Sequence, residues 1–307
     1  MGAARGIDEG LIGTSSTLKP FRLRFGLDEG SEVEQAQLLS NIASMVQMGS
    51  ILGALIACVI TGKLYALTCS IWTEFNTSED RIGRVWATRE LCLVWAFGIG
   101  IFMAASKTGN VGMVLGGRFL AGVGIGQTTV VAPTYLAEIS PKAIRGLSVC
   151  AFSGCVYIGI MLAYFASWGA SIHISSATQA QWLVPTSMHL MFSLLIFILS
   201  WFTFESPRWL VKVGRHEDAA RNLGKIRGLP STDERVAAEI EDVQGQLDRE
   251  QEATLGASWF GIIKELFLLP ANRYRIMLSI FSQLLAQWSG ANSITIVSHI
   301  SSSGHER

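Results

Sequence analysis

Long stretches almost free of charge, set apart by short charged clusters, constrain this chain more than any other feature. A helix needs about 20 mostly apolar residues to cross a bilayer. Residues 42–61, 111–132, 147–168 and 182–204 meet or approach that length, and 91–106 does so once extended back through Val85, Trp86 and Ala87. A sixth stretch, 276–297, is more polar and carries Gln283, Gln287, Ser289 and Asn292. Soluble proteins have buried helices too, but not this many such runs in one chain. Only 16% of the residues are charged, against about 25% in soluble domains. The charges gather in 21–34, 79–90, 141–145 and 205–275, between the apolar runs. The pattern predicts an all-α, multi-pass membrane protein with the lipid bilayer as its solvent.

Lys and Arg in short loops set orientation. Arg81, Arg84 and Arg89 lie on one side, and two crossings later Lys142 and Arg145 return to it, as does the segment after Phe204. That side is read as cytoplasmic, against a smaller vote from Lys19, Arg22 and Arg24, which acidic neighbours accompany. Residues 205–275 have the composition of a wet helical segment. Within it Ser231 and Glu234 stand at capping-box spacing, and Val236, Ile240, Val243 and Leu247 recur at helical spacing. A net charge of zero, without a basic patch, argues against nucleic acid as a partner. The five cysteines form no CxxC pair and read as buried free thiols; no cleavable signal peptide is visible. Catalytic constellations, metal-ligand clusters and cofactor loops are not apparent, and the histidines are scattered. Gly122, Gly124 and Gly126 imitate a dinucleotide loop but lack its strand and acidic partner, so close helix packing is the better reading.

The charged motifs fall at membrane edges. Asp80-Arg81-Ile82-Gly83-Arg84 occupies one cytoplasmic turn; Glu138 and Pro141-Lys142-Ala143-Ile144-Arg145-Gly146 occupy the next; Glu205-Ser206-Pro207-Arg208 occupies the third. Two readings stand: ion pairs that latch helix ends in one conformation, or positive-inside anchors with counter-charges nearby. Arg118 differs, being inside an apolar helix, where a charge costs at least ~2.5 kcal/mol and needs a partner or a wet cavity. Asp8 is a candidate partner, and a carboxylate that alternately pairs with arginine and takes a proton is a workable coupling device. The plainer alternative makes Asp8 a residue near an exposed terminus.

Arg118 through Gly126, followed by Pro133-Thr134-Tyr135-Leu136-Ala137-Glu138 and Pro141…Arg145-Gly146, resembles the signature between helices four and five of the sugar porter family, in the major facilitator superfamily. The 80–84 stretch resembles that superfamily's loop between helices two and three. Glu205-Ser206-Pro207-Arg208-Trp209-Leu210 is similar to the motif after helix six, with Phe204 in place of the usual proline. Gln287-Trp288-Ser289-Gly290-Ala291-Asn292 resembles the helix-seven motif, with Ala286 in place of its first Gln. The flavour is of fungal quinate, hexose or polyol permeases.

The resemblance implies twelve helices in two halves, alternating access, and a plasma-membrane carrier of a sugar, polyol or quinate-type solute, with protons as a second cargo and no cofactor. It places Gln283, Gln287 and Asn292 at the solute, with Trp288 either stacking on the solute's ring or filling space, packing being the favoured reading. Ser153 falls where many hexose carriers have a Gln. Asp8 and Arg118 match the proton-coupling pair, and Asp80, Arg84, Glu138, Arg145, Glu205 and Arg208 the cytoplasmic gating network. The expected organisation is an N-terminal bundle over 1–204 with an incomplete first helix, a cytoplasmic helical segment over 205–271, a partial seventh helix over 272–297 and an off-family tail over 298–307. Residues 62–79 interrupt the family text, since deleting them joins Ile60-Thr61 to the 80–84 motif. Gly62-Lys63 and Val297-Ser298 can both be encoded by splice-donor-like strings, so 62–79 and 297–307 are expected to be translated intron or a mark of gene decay, the alternative being a genuine divergent loop and tail. A transporter-like nutrient sensor and a nonfunctional fragment are the competing functions.

Overall fold

The computed structural model describes residues 1–15, 18–26, 31–61, 83–254 and 270–290. Every regular element among them is a helix. One compact unit, Met1–Asp233, holds α1 (Gly2–Ser15), α2 (Lys19–Arg24), α3 (Glu32–Thr61), α4 (Arg84–Thr108), α5 (Val111–Ile139), α6 (Arg145–His173), α7 (Ala180–Leu199), α8 (Pro207–Lys212) and α9 (His216–Arg227). The second, Glu234–Arg307, holds α10 (Glu234–Thr254) and α11 (Pro270–Trp288). Among the described residues, five stretches are long and apolar enough to cross a membrane: Val33–Cys58, Arg84–Thr108, Val111–Ile139, Arg145–His173 and Ala180–Leu199.

The apolar runs are the cores of these helices, but several ends lie elsewhere. α3 begins ten residues' worth of polar sequence earlier than the apolar run at 42, because a helix does not stop where the hydrocarbon does. α5 continues through Pro133 to Ile139. A proline removes one N–H from the ladder, which packed membrane helices tolerate. α7 stops at Leu199, short of 204. α10 starts at Glu234, so Ser231 does not cap it: the Asp233 N–H donates to the Pro230 carbonyl and holds 231–232 in a turn. On α10, Val236 and Leu247 are buried, and Ile240 and Val243 half-buried.

α5 is the innermost helix, packed along its length on α3 and α4 and touching α6 and α1. Glycine permits this closeness. A Cβ on Gly122 or Gly126 would overlap the carbonyls of Val46 and Ser50 on α3. α1 presses on α6 in the same way, with Gly6 against the Val156 carbonyl and Gly10 against Ala163. Small residues at helix contacts are how bundles gain packing where lipid is as apolar as the core. With its glycine stripe on α6, α1 buries Ile7, Asp8 and Leu11.

Around α5 the core is layered. Phe21, Phe25, Phe102 and Trp182 cluster at one end, with Phe21 edge-on to Trp182 at 5.2 Å. Trp95, Ile99, Ala121 and Ile125 fill the middle, and Ala57, Ala87, Leu91 and Val131 the far end. α6 turns Gly159, Ala163, Ser167 and Ala170 inward and leaves Tyr157, Met161, Phe165 and Trp168 exposed. That inside-out distribution suits a face against hydrocarbon. It also corrects one expectation: Cys92 is buried, but Cys58, Cys150 and Cys155 lie on the outer surface, where a thiol in an apolar setting is equally at ease.

Candidate functional site

Three ionisable side chains from three helices meet inside the bundle. Asp8 of α1, Arg118 of α5 and His189 of α7 are each at most 2% exposed. Arg118 Nη1 lies 3.6 Å from Asp8 Oδ1, ion-pair range but too long for a hydrogen bond. The guanidinium also sits 4.7 Å over the Phe102 ring, where the ring's negative face favours a cation. His189 Nε2 stands 3.2 Å from the same Asp8 oxygen. Its Nδ1 is 2.9 Å from the Thr186 carbonyl, and its ring meets Trp95 edge-on at 5.9 Å. The structure therefore places Asp8 in the interior beside Arg118, not at an exposed terminus. His189 was missed by sequence reasoning. The signal was there, since a histidine inside an apolar span carries the same desolvation argument as Arg118.

A second polar pair lies nearby in the sequence of α4 and α5: Gln127 Nε2 donates to Glu90 Oε1 at 3.4 Å.

At the start of α4 the loop motifs converge. Arg84 grips Glu138 with both prongs, Nη2 to Oε1 at 2.8 Å and Nε to Oε2 at 3.1 Å. Both side chains are 9% exposed. Glu205 accepts from three backbone N–H groups: Arg84 at 2.7 Å, Val85 at 3.2 Å and Ser206 at 3.2 Å. Gly83, the residue preceding α4, has no side chain to cap the helix, so Glu205 supplies the anion that a helix N-terminus favours. Burial, the largest effect, nevertheless holds the Glu205 carboxyl above its usual range, opposed by those N–H groups and the Arg84 charge. α9 ties on as well: Asn222 Nδ2 donates to the Glu205 carbonyl at 3.3 Å and Arg227 Nη1 to the Ile139 carbonyl at 3.0 Å. Arg89 donates to Ser200 Oγ at 3.2 Å and stacks between Trp86 and Trp201. Neither the α9 ties nor the Arg89 stack was read from the sequence.

A family model for sugar (and other) transporters matches residues 1–300. The chain belongs to the sugar (and other) transporter family. Among curated relatives, it is 29% identical over 296 residues to a probable quinate permease of Aspergillus niger, covering 96% of this chain and 51% of that protein. It is 30% identical to a probable quinate permease of Neosartorya fischeri, covering 96% and 50%. The chain thus spans about half the length of the curated relatives it matches. Its fold is that of the major facilitator superfamily. A structure of the proton:xylose symporter XylE bound to 6-bromo-6-deoxy-D-glucose aligns with TM-score 0.65 at 23% identity, over 83% of this chain and 52% of the other. The partially occluded, inward-open xylose transporter XylE from E. coli aligns with TM-score 0.69 at 20% identity, over 96% and 63%. The chain is therefore a multi-pass membrane protein of a transporter family, not an enzyme.

Arg145 is exposed at the start of α6 and Arg208 half-buried in α8. Ser153 is exposed on α6, and Gln283 and Trp288 are exposed on α11. Gln287 lies on α11; Asp80, Asn292, 62–79 and 298–307 lie outside the described residues. Among the described residues, no group of three potential ligands is placed to hold a metal ion.

Proposed function

We propose that this chain forms the N-terminal bundle and the start of the second half of a proton-coupled, plasma-membrane carrier for a polyhydroxylated solute of the sugar, polyol or quinate class, working by alternating access. The observation that carries this reading is the Asp8–Arg118 pair, both side chains buried inside the helical bundle. A carboxylate held near a guanidinium at 3.6 Å, without hydrogen-bond closure, can trade the arginine for a proton at little structural cost. The relatives' printed names supply the solute class. Gln283, Gln287 and Asn292 are the amides proposed to meet solute hydroxyls, since an amide both donates and accepts, with Trp288 and Ser153 as lesser contacts. The ionic cluster of Arg84, Glu138 and Glu205, joined by Asp80, Arg145 and Arg208, is the proposed cytoplasmic gate.

The test is uptake by membrane vesicles containing the chain extended to the length of its relatives. Labelled quinate, a hexose and a polyol are offered with and without an inward proton gradient. Saturable uptake of one class, raised by the gradient, is expected. Saturable uptake of none of them, or gradient-independent accumulation, overturns the proposal.

A further inference from the structure

The carboxylate of Asp8 faces a second group able to hold a proton, and the hydrogen-bond chemistry fixes how that group is arranged. His189 Nδ1 is 2.9 Å from the Thr186 carbonyl. A carbonyl only accepts, so Nδ1 is the ring nitrogen that carries hydrogen. In a neutral imidazole, Nε2 is then a bare lone pair; it stands 3.2 Å from Asp8 Oδ1, both atoms buried and no hydrogen bond closed between them. Lone pair against carboxylate, away from water, is repulsive. One proton between the two atoms removes the conflict, either on Nε2 as imidazolium or on Oδ1 as carboxylic acid.

We propose that Asp8 and His189 share a single proton and, with Arg118, form a three-residue proton site in which His189 is the proton-holding partner. The step between its two forms balances simply: the Nε2–H bond breaks, the Oδ1–H bond forms, and no electrons change hands. Release of the shared proton to water leaves carboxylate against neutral imidazole. Arg118, 3.6 Å from the same oxygen, is the one cation in the cluster placed to compensate by closing on it. Proton loss and the tightening of Arg118 on Asp8 are thus one event. Among the described residues, α4 presents Trp95 to the ring and lends the Cys92 carbonyl to Ser193, and its Glu90, further along the helix, accepts from Gln127 at 3.4 Å. α6 turns small uncharged residues inward, and α2 meets α7 through the Pro20 carbonyl and Gln179. On α1, Arg5, one turn before Asp8, is held by Glu9 at 2.9 Å. The transport role of this site rests on Asp8 being the coupling carboxylate; the shared proton itself does not.

The experiment is nitrogen NMR on the 307-residue chain, labelled at histidine and reconstituted in lipid nanodiscs, from roughly pH 5 to 8. The His189 signal is assigned by its loss in His189→Gln and independently by its loss in His189→Asn, so that one misfolded variant does not end the test. Nδ1 is expected to stay protonated throughout, while Nε2 shows a protonated or strongly hydrogen-bonded shift that Asp8→Asn moves to another position. A bare Nδ1, or an Nε2 shift indifferent to Asp8→Asn, overturns the proposal. Since no transport is read, the outcome separates from that of the uptake assay. A shared proton found together with Asp8-independent accumulation would refute the coupling role and leave the proton site standing.

Discussion

Glu205 is where a single charge outside the spans works against its own burial. Its carboxyl is held above the usual range chiefly by desolvation, with N–H donors from Ser206, Val85 and Arg84 opposing. A carboxyl whose folded value exceeds its unfolded one, near 4.3 for Glu, stabilises the fold fully below the unfolded value. That contribution is lost as pH rises through the folded value. The thermal midpoint of the chain minus that of Glu205→Gln is therefore expected to fall across this window, and a difference that grows with pH contradicts the assignment. Gln keeps an acceptor for the start of α4, so Glu205→Ala is expected to be worse than Glu205→Gln by about 1–3 kcal/mol, the cost of unmet N–H groups. Glu205 was legible as part of a motif, but its partners were not, because backbone N–H groups leave no mark in a sequence. Asp8 and Arg118 could be paired in advance because a lone charge in an apolar run demands a counter-charge. His189 carries a weaker form of the same demand, because a histidine can shed its charge, and so it was passed over.

Helices were legible where the chain is uniformly apolar and less so at their ends. Polar residues 32–41 and Pro133 both look like boundaries, yet α3 and α5 run through them, since tertiary packing outweighs local preference. The glycine positions foretold close contact but not which helix would be met. Gly6 fits against the Val156 carbonyl, whereas a Cβ on Gly154 meets nothing. Gly6→Leu is expected to force α1 off α6 and lower stability by about 1–3 kcal/mol. Gly154→Ala meets no neighbour and should raise stability by about 0.5–1 kcal/mol, the helix-propensity gain of Ala over Gly. Equal thermal midpoints for the two variants would contradict this packing. Arg84 and Glu138 join α4 to α5 through a fork at 2.8 and 3.1 Å. Removing either partner alone leaves an uncompensated buried charge, costing about 3–5 kcal/mol. The double alanine variant is expected to cost clearly less than the sum of the two. Additive losses in a double-mutant cycle would mean that the fork does not couple the helices.

At the scale of the molecule, a bundle tied by ions at one end and holding a loosely closed ion pair in its middle is suited to two states. In the proposed cycle one state has the pair closed, and the other has the carboxylate neutralised by a proton. Asp8→Asn makes the second state permanent without changing the shape of the side chain. The decisive measurement compares gradient-driven accumulation with solute exchange for this variant, in the chain extended to its relatives' length and with whichever solute the uptake panel identifies. Exchange is expected to continue while accumulation above equilibrium disappears. Accumulation that survives in Asp8→Asn would show that the proton enters elsewhere.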